Sequence, residues 1–254
     1  MKVVRTIAEL EPVPGTGLVP TMGALHDGHV ALLQTARQEN RTVTMSLFVN
    51  PAQFDEQDDL DAYPRDEARD LEIAEREGVD VVFVPTADEL YPPGFTTWVD
   101  PGESGAEDTA RPGHFRGVAT VCLKLFNLVS PERAYFGQKD AQQVAVMRRL
   151  VRDLNIQVEI RAVPTVRDAD GLALSSRNAR LSPEERDRAL GLSRALASAA
   201  DAPDPVSAAR GSLNGLEPEY VEVLDLGDAK VLAAAIRVGS TRLIDNVLLE
   251  GEIG

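Results

Sequence analysis

The sequence has few of the residues that build disulfide frameworks or membrane spans. Its 254 residues include a single cysteine, Cys122, which excludes an internal disulfide framework and a multi-thiolate metal site. Cys122 lies in an apolar helical run and is predicted to be a small core residue. No run of about 18 apolar residues occurs, so no transmembrane helix is predicted. The N-terminal segment lacks the pattern of a signal peptide, which makes the cytoplasm the expected compartment.

Lysine is also scarce, and acidic residues outnumber basic ones by 41 to 26. The formal net charge is −15 at pH 7, which argues against a general nucleic-acid or anionic-membrane surface. Within residues 55–80, twelve acidic residues stand against three arginines, and this charge run predicts a solvated loop and helix face. Only four lysines occur, so a lysine inside a motif carries more information than usual: Lys2, Lys124, Lys139 and Lys230.

Short apolar runs alternate with helical patterns through the first two-thirds of the chain. The predicted strands are "GLVPT", "TVTMSLFVN", "VDVVFVP", "RAYFG" and "IQVEIRAVP", and the segments between them include helical patterns such as "HVALLQTARQEN". This order predicts an α/β fold with a doubly wound, Rossmann-like parallel sheet. Ligands of such a sheet bind at the carboxyl ends of its strands.

The remainder of the chain has a different pattern. Ser182, Pro183 and Glu185 form a capping-box arrangement at the start of a helix, and "DAPDP" then breaks the chain. The runs "EYVEVLDL", "AAAIRVG" and "TRLIDNVLLE" read as strands. We therefore predict a Rossmann-like domain at residues 1–166 and a smaller α+β domain at residues 167–254.

The stretch "PTMGALHDGH" joins a predicted strand to a predicted helix. A helix N-terminus after a strand is an anion site, and Gly23 and Gly28 would let a nucleotide approach the backbone closely. His26 and His29 could reach the same phosphate oxygens. Two alternatives stay open, namely helix capping by Asp27 with surface histidines, and a zinc site with His114 as third ligand. The glycines favour phosphate over zinc.

Three further motifs fall at predicted strand ends or in the interdomain loop. "YFGQKDAQQ" offers Lys139 for a phosphate, Asp140 for a ribose hydroxyl and Gln143 for a polar substrate. "GLALSSRN", residues 171–178, offers hydroxyl and guanidinium donors. "FVNPAQF" offers the neutral amides of Asn50 and Gln53. Each motif alone also fits an ordinary polar turn, but together they predict one ligand crevice.

These residues together resemble the pantothenate synthetase (pantoate–β-alanine ligase) family of the HIGH-motif nucleotidyltransferase group. The resemblance covers nearly the whole chain, through "PTMGALHDGH", "FVNPAQF", "DLDAYPRD", "RPGHFRGVATVCLKLFN", "FGQKDAQQ", "VPTVRDADGLALSSRN" and "TRLIDN". It implies that pantoate attacks the α-phosphorus of ATP, with Mg²⁺ present, to give pantoyl adenylate and pyrophosphate. The amine of β-alanine then displaces AMP. It also implies a homodimer.

The resemblance assigns roles to individual positions. It implies catalytic roles for His29, His26, Lys139 and Arg177, and binding of pantoate by Gln53 and Gln143, with Gln53 also meeting β-alanine. No residue is assigned as a direct metal ligand, since Mg²⁺ would arrive with ATP. The implied ATP-binding residues are Met22, Gly23, Ala24, Leu25, His26, Asp27, Gly28, His29, Gly137, Gln138, Lys139, Asp140, Val166, Leu174, Ser175, Ser176 and Arg177.

Three positions depart from the family pattern. Gln138 stands where Glu is common, Ala141 where an aromatic residue is usual, and Leu174 where the family has methionine. Rival interpretations are an HxGH nucleotidyltransferase that forms another coenzyme, a non-catalytic nucleotide-binding module, and a His₃ zinc hydrolase. If the chain formed another coenzyme, Gln53 and Gln143 would have no pantoate to bind.

Overall fold

The computed structural model describes residues 1–102, 105–227 and 229–252. The chain divides into two compact units, each built from several segments. Unit one comprises Met1–Leu25, His29–Phe136 and Gln143–Val163. Unit two comprises His26–Gly28, Gly137–Gln142 and Pro164–Gly254. The predicted domain limits, 1–166 and 167–254, stay a prediction.

Unit one is built on a six-stranded sheet with the strand order β1-β4-β3-β2-β5-β6. The pairs β1–β4, β4–β3, β3–β2 and β2–β5 are parallel, so the predicted α/β class is confirmed. The strand order reverses at β2, and open α/β sheets bind their ligands at such points. The strands are β1 (Lys2–Val4), β2 (Thr16–Thr21), β3 (Thr42–Leu47), β4 (Val81–Phe83), β5 (Arg133–Gly137) and β6 (Glu159–Val163).

Seven helices accompany this sheet in the part of the chain that the structure describes. Buried residues of two of them, such as Leu33 and Ile73, pack in one cluster with Met45 and Val82 of the central strands. The helices are α1 (Asp27–Glu39), α2 (Gln57–Asp61), α3 (Glu67–Arg76), α4 (Ala87–Leu90), α5 (Ala106–Ala110), α6 (His114–Val129) and α7 (Ala141–Asp153).

The ends of α3 show how the sequence sets a helix boundary. The Asp66 side chain accepts a hydrogen bond from the backbone N–H of Arg69 at 3.2 Å, which satisfies a free donor of the first turn. Beyond the last turn, Gly78 has a φ of +77°, the left-handed conformation that ends helices at low cost in glycine. The predicted helix and its terminal glycine are confirmed.

The first strand was not anticipated. Lys2–Val4 forms β1 and pairs with β4 at one edge of the sheet, whereas the sequence predicted no strand before β2. Three residues are too few to display an alternating pattern, and two of them are exposed.

Cys122 lies inside α6 and is 3% exposed, as predicted for a core residue. Burial raises the pKa of its thiol to about 12, because the thiolate would lose its hydration.

Unit two contains a three-stranded antiparallel sheet in the order β7-β8-β9, one long helix and one short helix. Leu192 and Leu196 of one helix pack against Leu232 and Ile236 of the sheet, and all four are buried. The smaller α+β architecture is therefore confirmed. The strands and helices are β7 (Pro218–Asp225), β8 (Ala229–Val238), β9 (Thr241–Gly251), α8 (Pro183–Ala199) and α9 (Pro205–Ser212).

The predicted capping box opens α8. Ser182 Oγ accepts from the backbone N–H of Glu185 at 3.2 Å, and the Glu185 carboxylate accepts from the Ser182 N–H at 3.0 Å. The helix α9, which was not predicted, begins at Pro205, the last residue of the "DAPDP" break. Across the described ranges, no helix is long and apolar enough to cross a membrane.

Candidate functional site

The segment after β2 turns sharply in unit one, and a buried carboxylate holds the turn. Gly23 and Ala24 have φ values of +85° and +51°. Asp70 on α3, which is 2% exposed, accepts hydrogen bonds from the N–H groups of Ala24 at 2.9 Å and Leu25 at 2.8 Å. A Cβ on Gly23 would lie 2.7 Å from Asp70 Oδ2, so the position requires glycine.

Asp70 corrects the interpretation of the acidic stretch 55–80 as wholly solvated. On α3 the buried side chains are Asp70, Ile73 and Ala74, so the aspartate lies on the apolar face of the helix. A charged residue on that face rarely stays buried without a partner. The helical spacing of Asp70 to Ile73 and Ala74 was therefore the signal that the sequence analysis missed.

Several peptide N–H groups of this stretch donate to protein acceptors. The N–H groups of Ala24 and Leu25 donate to Asp70, and that of Gly23 donates to Thr21 Oγ1 at 3.4 Å. The N–H of Gly28 donates to His26 Nδ1 at 3.1 Å. The sequence suggested that backbone N–H groups here would receive a phosphate, but these four already have acceptors within the protein.

His26, in unit two, is neutral and has a defined tautomer. Because Nδ1 accepts from Gly28, the proton of the neutral ring lies on Nε2, which can donate to an oxygen. Burial, together with the nearby positive charge of Lys139, lowers the pKa of His26 from 6.5 to about 4. The ring can therefore supply a hydrogen-bond donor at neutral pH without a net charge.

Helix α1 begins directly after His26. Asp27 is the first residue of the helix and is exposed, so its charge lies favourably at the positive end of the helix dipole. His29 lies in the first turn of α1 and is half-buried.

The lysine motif forms a single 3-10 turn, Gln138–Asp140, in unit two. Lys139 Nζ lies 3.3 Å and 3.4 Å from the two carboxylate oxygens of Asp140. The side-chain amide of Asn246 on β9 donates to the carbonyl oxygens of Gln138 and Lys139, each at 2.9 Å. The turn is therefore tied to the small sheet of the same unit.

The loop after β6 closes on itself. The N–H of Leu174 donates to the carbonyl of Val166 at 3.0 Å, which brings these two predicted ATP contacts together. Ser175 then caps the 3-10 turn Ser176–Arg180 by accepting from the Arg177 N–H at 3.3 Å.

Two aspartates of this loop share one arginine as their partner. Asp168 and Asp170 both pair with Arg186 of α8, at 2.5 Å and 2.9 Å. The predicted ATP residues from Val166 to Arg177 thus lie on an ordered hairpin and turn.

Gln53, in unit one, is buried and hydrogen-bonded through both its side chain and its backbone. Its Oε1 accepts from Asn50 Nδ2 at 2.9 Å, and Asn50 Oδ1 accepts from the Tyr91 hydroxyl, also at 2.9 Å. Burial raises the pKa of Tyr91, which keeps the hydroxyl protonated as a donor. Tyr91 was not singled out from the sequence, because nothing local distinguishes it from an ordinary loop tyrosine.

His114 supports the same residue rather than a metal. Its Nδ1 lies 2.8 Å from the backbone carbonyl of Gln53, which can only accept, so Nδ1 carries a proton. Among the described residues, no group of three His, Cys, Asp or Glu side chains could hold a metal ion. The zinc interpretation therefore finds no support in this geometry.

A cleft opens beside Gln53 within unit one. The Arg116 guanidinium lies 4.7 Å from the centre of the Trp98 ring, and a Cβ on Gly117 would overlap the carbonyl of Ala52. The cleft is lined by Ala52, Phe54, Trp98, Pro112, Gly113, Arg116 and Gly117.

The predicted site residues thus divide between the two units. Unit one holds Gln53, and Gln143 half-buried in the first turn of α7, together with His29 and the stretch Met22–Leu25. Unit two gathers His26–Gly28, the stretch 137–140, and the loop from Val166 to Arg177. The assignments themselves stay predictions.

The first prediction concerns Asp70. In Asp70→Asn, one of the two peptide N–H groups meets an amide NH₂ instead of an acceptor. We expect a loss of about 1.5–3 kcal/mol in the free energy of unfolding, measured by urea denaturation. The control Glu72→Gln changes an exposed carboxylate on the same helix and should stay within about 0.5 kcal/mol of wild type. Equal effects of the two variants would refute the role of Asp70.

The second prediction concerns pH. His26 in the folded protein should stay neutral down to about pH 4, whereas in the unfolded chain it binds a proton near pH 6.5. Its contribution to stability is therefore complete above pH 6.5 and is lost as the pH falls towards 4. Imidazole resonances in an NMR titration would check this, with His26→Gln identifying the His26 signal. A midpoint near 6.5 would contradict the prediction.

Comparisons with a family model and with known protein sequences indicate the same family for this chain. The model of the pantoate-beta-alanine ligase family matches residues 2–248. The pantothenate synthetase of Roseiflexus sp. (strain RS-1) is 50% identical, over 98% of this chain and all of that protein. That of Chloroflexus aurantiacus is also 50% identical, over 99% of each chain.

Comparison with solved structures supports the same family. The pantothenate synthetase of Thermus thermophilus superposes with a TM-score of 0.93 at 44% identity, over 98% of this chain and 99% of that one. The pantoate-beta-alanine ligase of Francisella tularensis, complexed with beta-gamma ATP and beta-alanine, gives a TM-score of 0.86 at 34% identity over the full length of both chains. From the sheet order, the loop motifs and these matches, the chain belongs to the pantoate–β-alanine ligase family.

Proposed function

We propose that this chain condenses pantoate with β-alanine at the expense of ATP, through a pantoyl-adenylate intermediate, and releases pyrophosphate and AMP. The enzyme class follows from membership of the family. The main structural support for these residue roles is the set of segments that make up unit two. Most of the residues that the resemblance assigns to ATP, namely 26–28, 137–140, Val166 and 174–177, belong to this one compact unit, whereas Met22–Leu25 and His29 belong to unit one.

In the first step, a carboxylate oxygen of pantoate attacks the α-phosphorus of ATP and the bond to pyrophosphate breaks. Negative charge builds on the non-bridging oxygens and on the leaving pyrophosphate. His26 offers an Nε2–H donor, while Lys139 and Arg177 supply positive charge, and preorganised donors of this kind stabilise charge that appears in the transition state. Lys139 would exchange its contact with Asp140 for a phosphate oxygen.

In the second step, the β-alanine amine attacks the acyl carbon of pantoyl adenylate and AMP leaves. The substrates supply both nucleophiles, so the protein contributes positioning and charge stabilisation rather than a covalent intermediate. Gln53 and Gln143 hold pantoate by neutral hydrogen bonds. Asn50, fixed by Tyr91, sets the direction of the Gln53 amide.

Mg²⁺ enters with ATP in this proposal. No cluster of three potential ligands is found among the described side chains, and the carboxylates of Asp140, Asp168 and Asp170 each pair with a cation. These residues fit an ion bound mainly by ATP phosphates, the usual arrangement for Mg²⁺, which there neutralises phosphate charge.

The state of assembly rests on the resemblance alone. We expect a homodimer, and light scattering at micromolar concentration would show it by a mass of two chains. A cytoplasmic location, which cell fractionation would check, likewise stays a prediction. An HxGH nucleotidyltransferase that makes another coenzyme is not favoured, because the family match and the relatives named above are pantoate–β-alanine ligases or pantothenate synthetases.

Pyrophosphate release tests the function directly. Purified protein with ATP, Mg²⁺ and pantoate should release about one pyrophosphate per site, and β-alanine should make the release continuous with equal formation of AMP. Omission of pantoate is the control. ATP turnover that is indifferent to pantoate would refute the proposal.

The third prediction concerns Lys139. In Lys139→Ala, kcat for pyrophosphate release should fall on the order of a hundredfold to a thousandfold, with a smaller change in the KM for ATP, because charge stabilisation acts mainly in the transition state. Lys230→Ala is the matched control, since Lys230 is a surface lysine paired with Glu250. A kcat near the wild-type value in Lys139→Ala would show that Lys139 has another role.

A further inference from the structure

Two consecutive residues of β9, Asp245 and Asn246, are both polar and both 2% exposed. Successive side chains of a strand point to opposite faces, so each needs its own partners inside the protein. Neither residue was assigned a role from the sequence, although both fall in the "TRLIDN" motif.

Asp245 anchors the strand on one side. Its two carboxylate oxygens accept from the two terminal nitrogens of Arg167, at 2.7 Å and 2.9 Å, and Oδ2 also accepts from Ser193 Oγ at 2.7 Å. Arg167 additionally donates to the backbone carbonyl of Asn246 at 3.3 Å. A bidentate pair of this kind fixes geometry as well as charge, so the backbone at Asn246 is held in place.

The Asn246 side chain forms hydrogen bonds with the turn that contains Lys139. Its Nδ2 donates to the carbonyls of Gln138 and Lys139, and its Oδ1 accepts from Gln138 Nε2 at 3.3 Å. Both amide hydrogens are thus used. The two carbonyls belong to the peptide groups on either side of the Lys139 Cα atom, so one side chain holds both backbone torsions of that residue.

We propose that Asn246 is a positioning residue for the Lys139 ammonium. By fixing the peptide groups before and after Lys139, it sets the direction in which the lysine side chain leaves the turn. This rests on the function proposed above, in which Lys139 meets the phosphates of ATP. Asn246 itself need not contact a substrate, and its effect on the reaction passes through Lys139.

A merely structural role for Asn246 gives a different pattern of results. A residue that only stabilises unit two would lower the melting temperature, and its loss would slow the reaction by the same factor whether or not Lys139 is present. A residue that acts through Lys139 loses its effect once the ammonium is gone, which a double-mutant cycle detects.

The test measures single-turnover pyrophosphate release from ATP, Mg²⁺ and pantoate, without β-alanine. It compares wild type, Asn246→Asp, Lys139→Ala and the double variant, at a temperature at which all are folded by circular dichroism. A carboxylate at 246 cannot donate to the two carbonyls and repels them. Glu250→Gln, on the same strand but exposed, is the control and should keep the wild-type rate.

We expect Asn246→Asp to slow adenylation on the order of tenfold to a hundredfold, because small displacements of a catalytic group cost rates of this size. In the Lys139→Ala background the same substitution should change the rate by less than about twofold. If Asn246→Asp fails to fold, Asn246→Ser, which retains one donor, should show a smaller loss with the same dependence on Lys139.

Equal factors in the two backgrounds, or a wild-type rate in a folded Asn246→Asp, would overturn the positioning role. Failure of the proposed function would look different, since wild type itself would then release no pyrophosphate in response to pantoate.

Discussion

Backbone that leaves a strand and turns sharply has peptide groups that no neighbouring strand can satisfy, and buried peptide groups must find partners. In this protein, buried side chains provide them. Asp70 takes two N–H groups of the turn after β2, and Asn246 gives its amide hydrogens to two carbonyls after β5. The shape of both loops therefore depends on a polar residue distant in sequence.

Charge and hydrogen bonding are divided among different residues. His26 is kept neutral by burial, so it can donate but brings no positive charge. Positive charge comes from Lys139 and Arg177, which lie in the same unit. Because the chain carries a formal net charge of −15, attraction for a highly phosphorylated substrate must come from local groups of this kind rather than from the protein as a whole.

The sequence predicted the fold well where hydrophobic periodicity was strong. Five of the six strands of the parallel sheet, the capping box at Ser182 and the three strands of the small sheet were read from pattern alone. The sequence did not predict β1, because three residues are too few to show a pattern and their pairing with β4 joins segments that are distant in the sequence. Nor did it predict α9, which begins at the last residue of a proline-rich break.

Motifs identified which loops carry the chemistry, but they could not show what holds those loops. Asn246, which binds the Lys139 carbonyl, and His114, which lies against the Gln53 carbonyl, are 61 residues or more away along the chain, so these contacts arise only on folding. Asp70 was within reach of sequence reasoning, because it shares a helical face with Ile73 and Ala74. Tyr91 was not, since no local pattern marks it.

The burial of Cys122 has a practical consequence. Its thiol is the only one in the chain, it is enclosed by the core of unit one, and its pKa of about 12 leaves almost no thiolate at neutral pH. An alkylating reagent can therefore modify the native protein only when α6 separates from that core. The rate of alkylation would therefore report how often the core of unit one opens. Local unfolding in other parts of the protein would not change that rate.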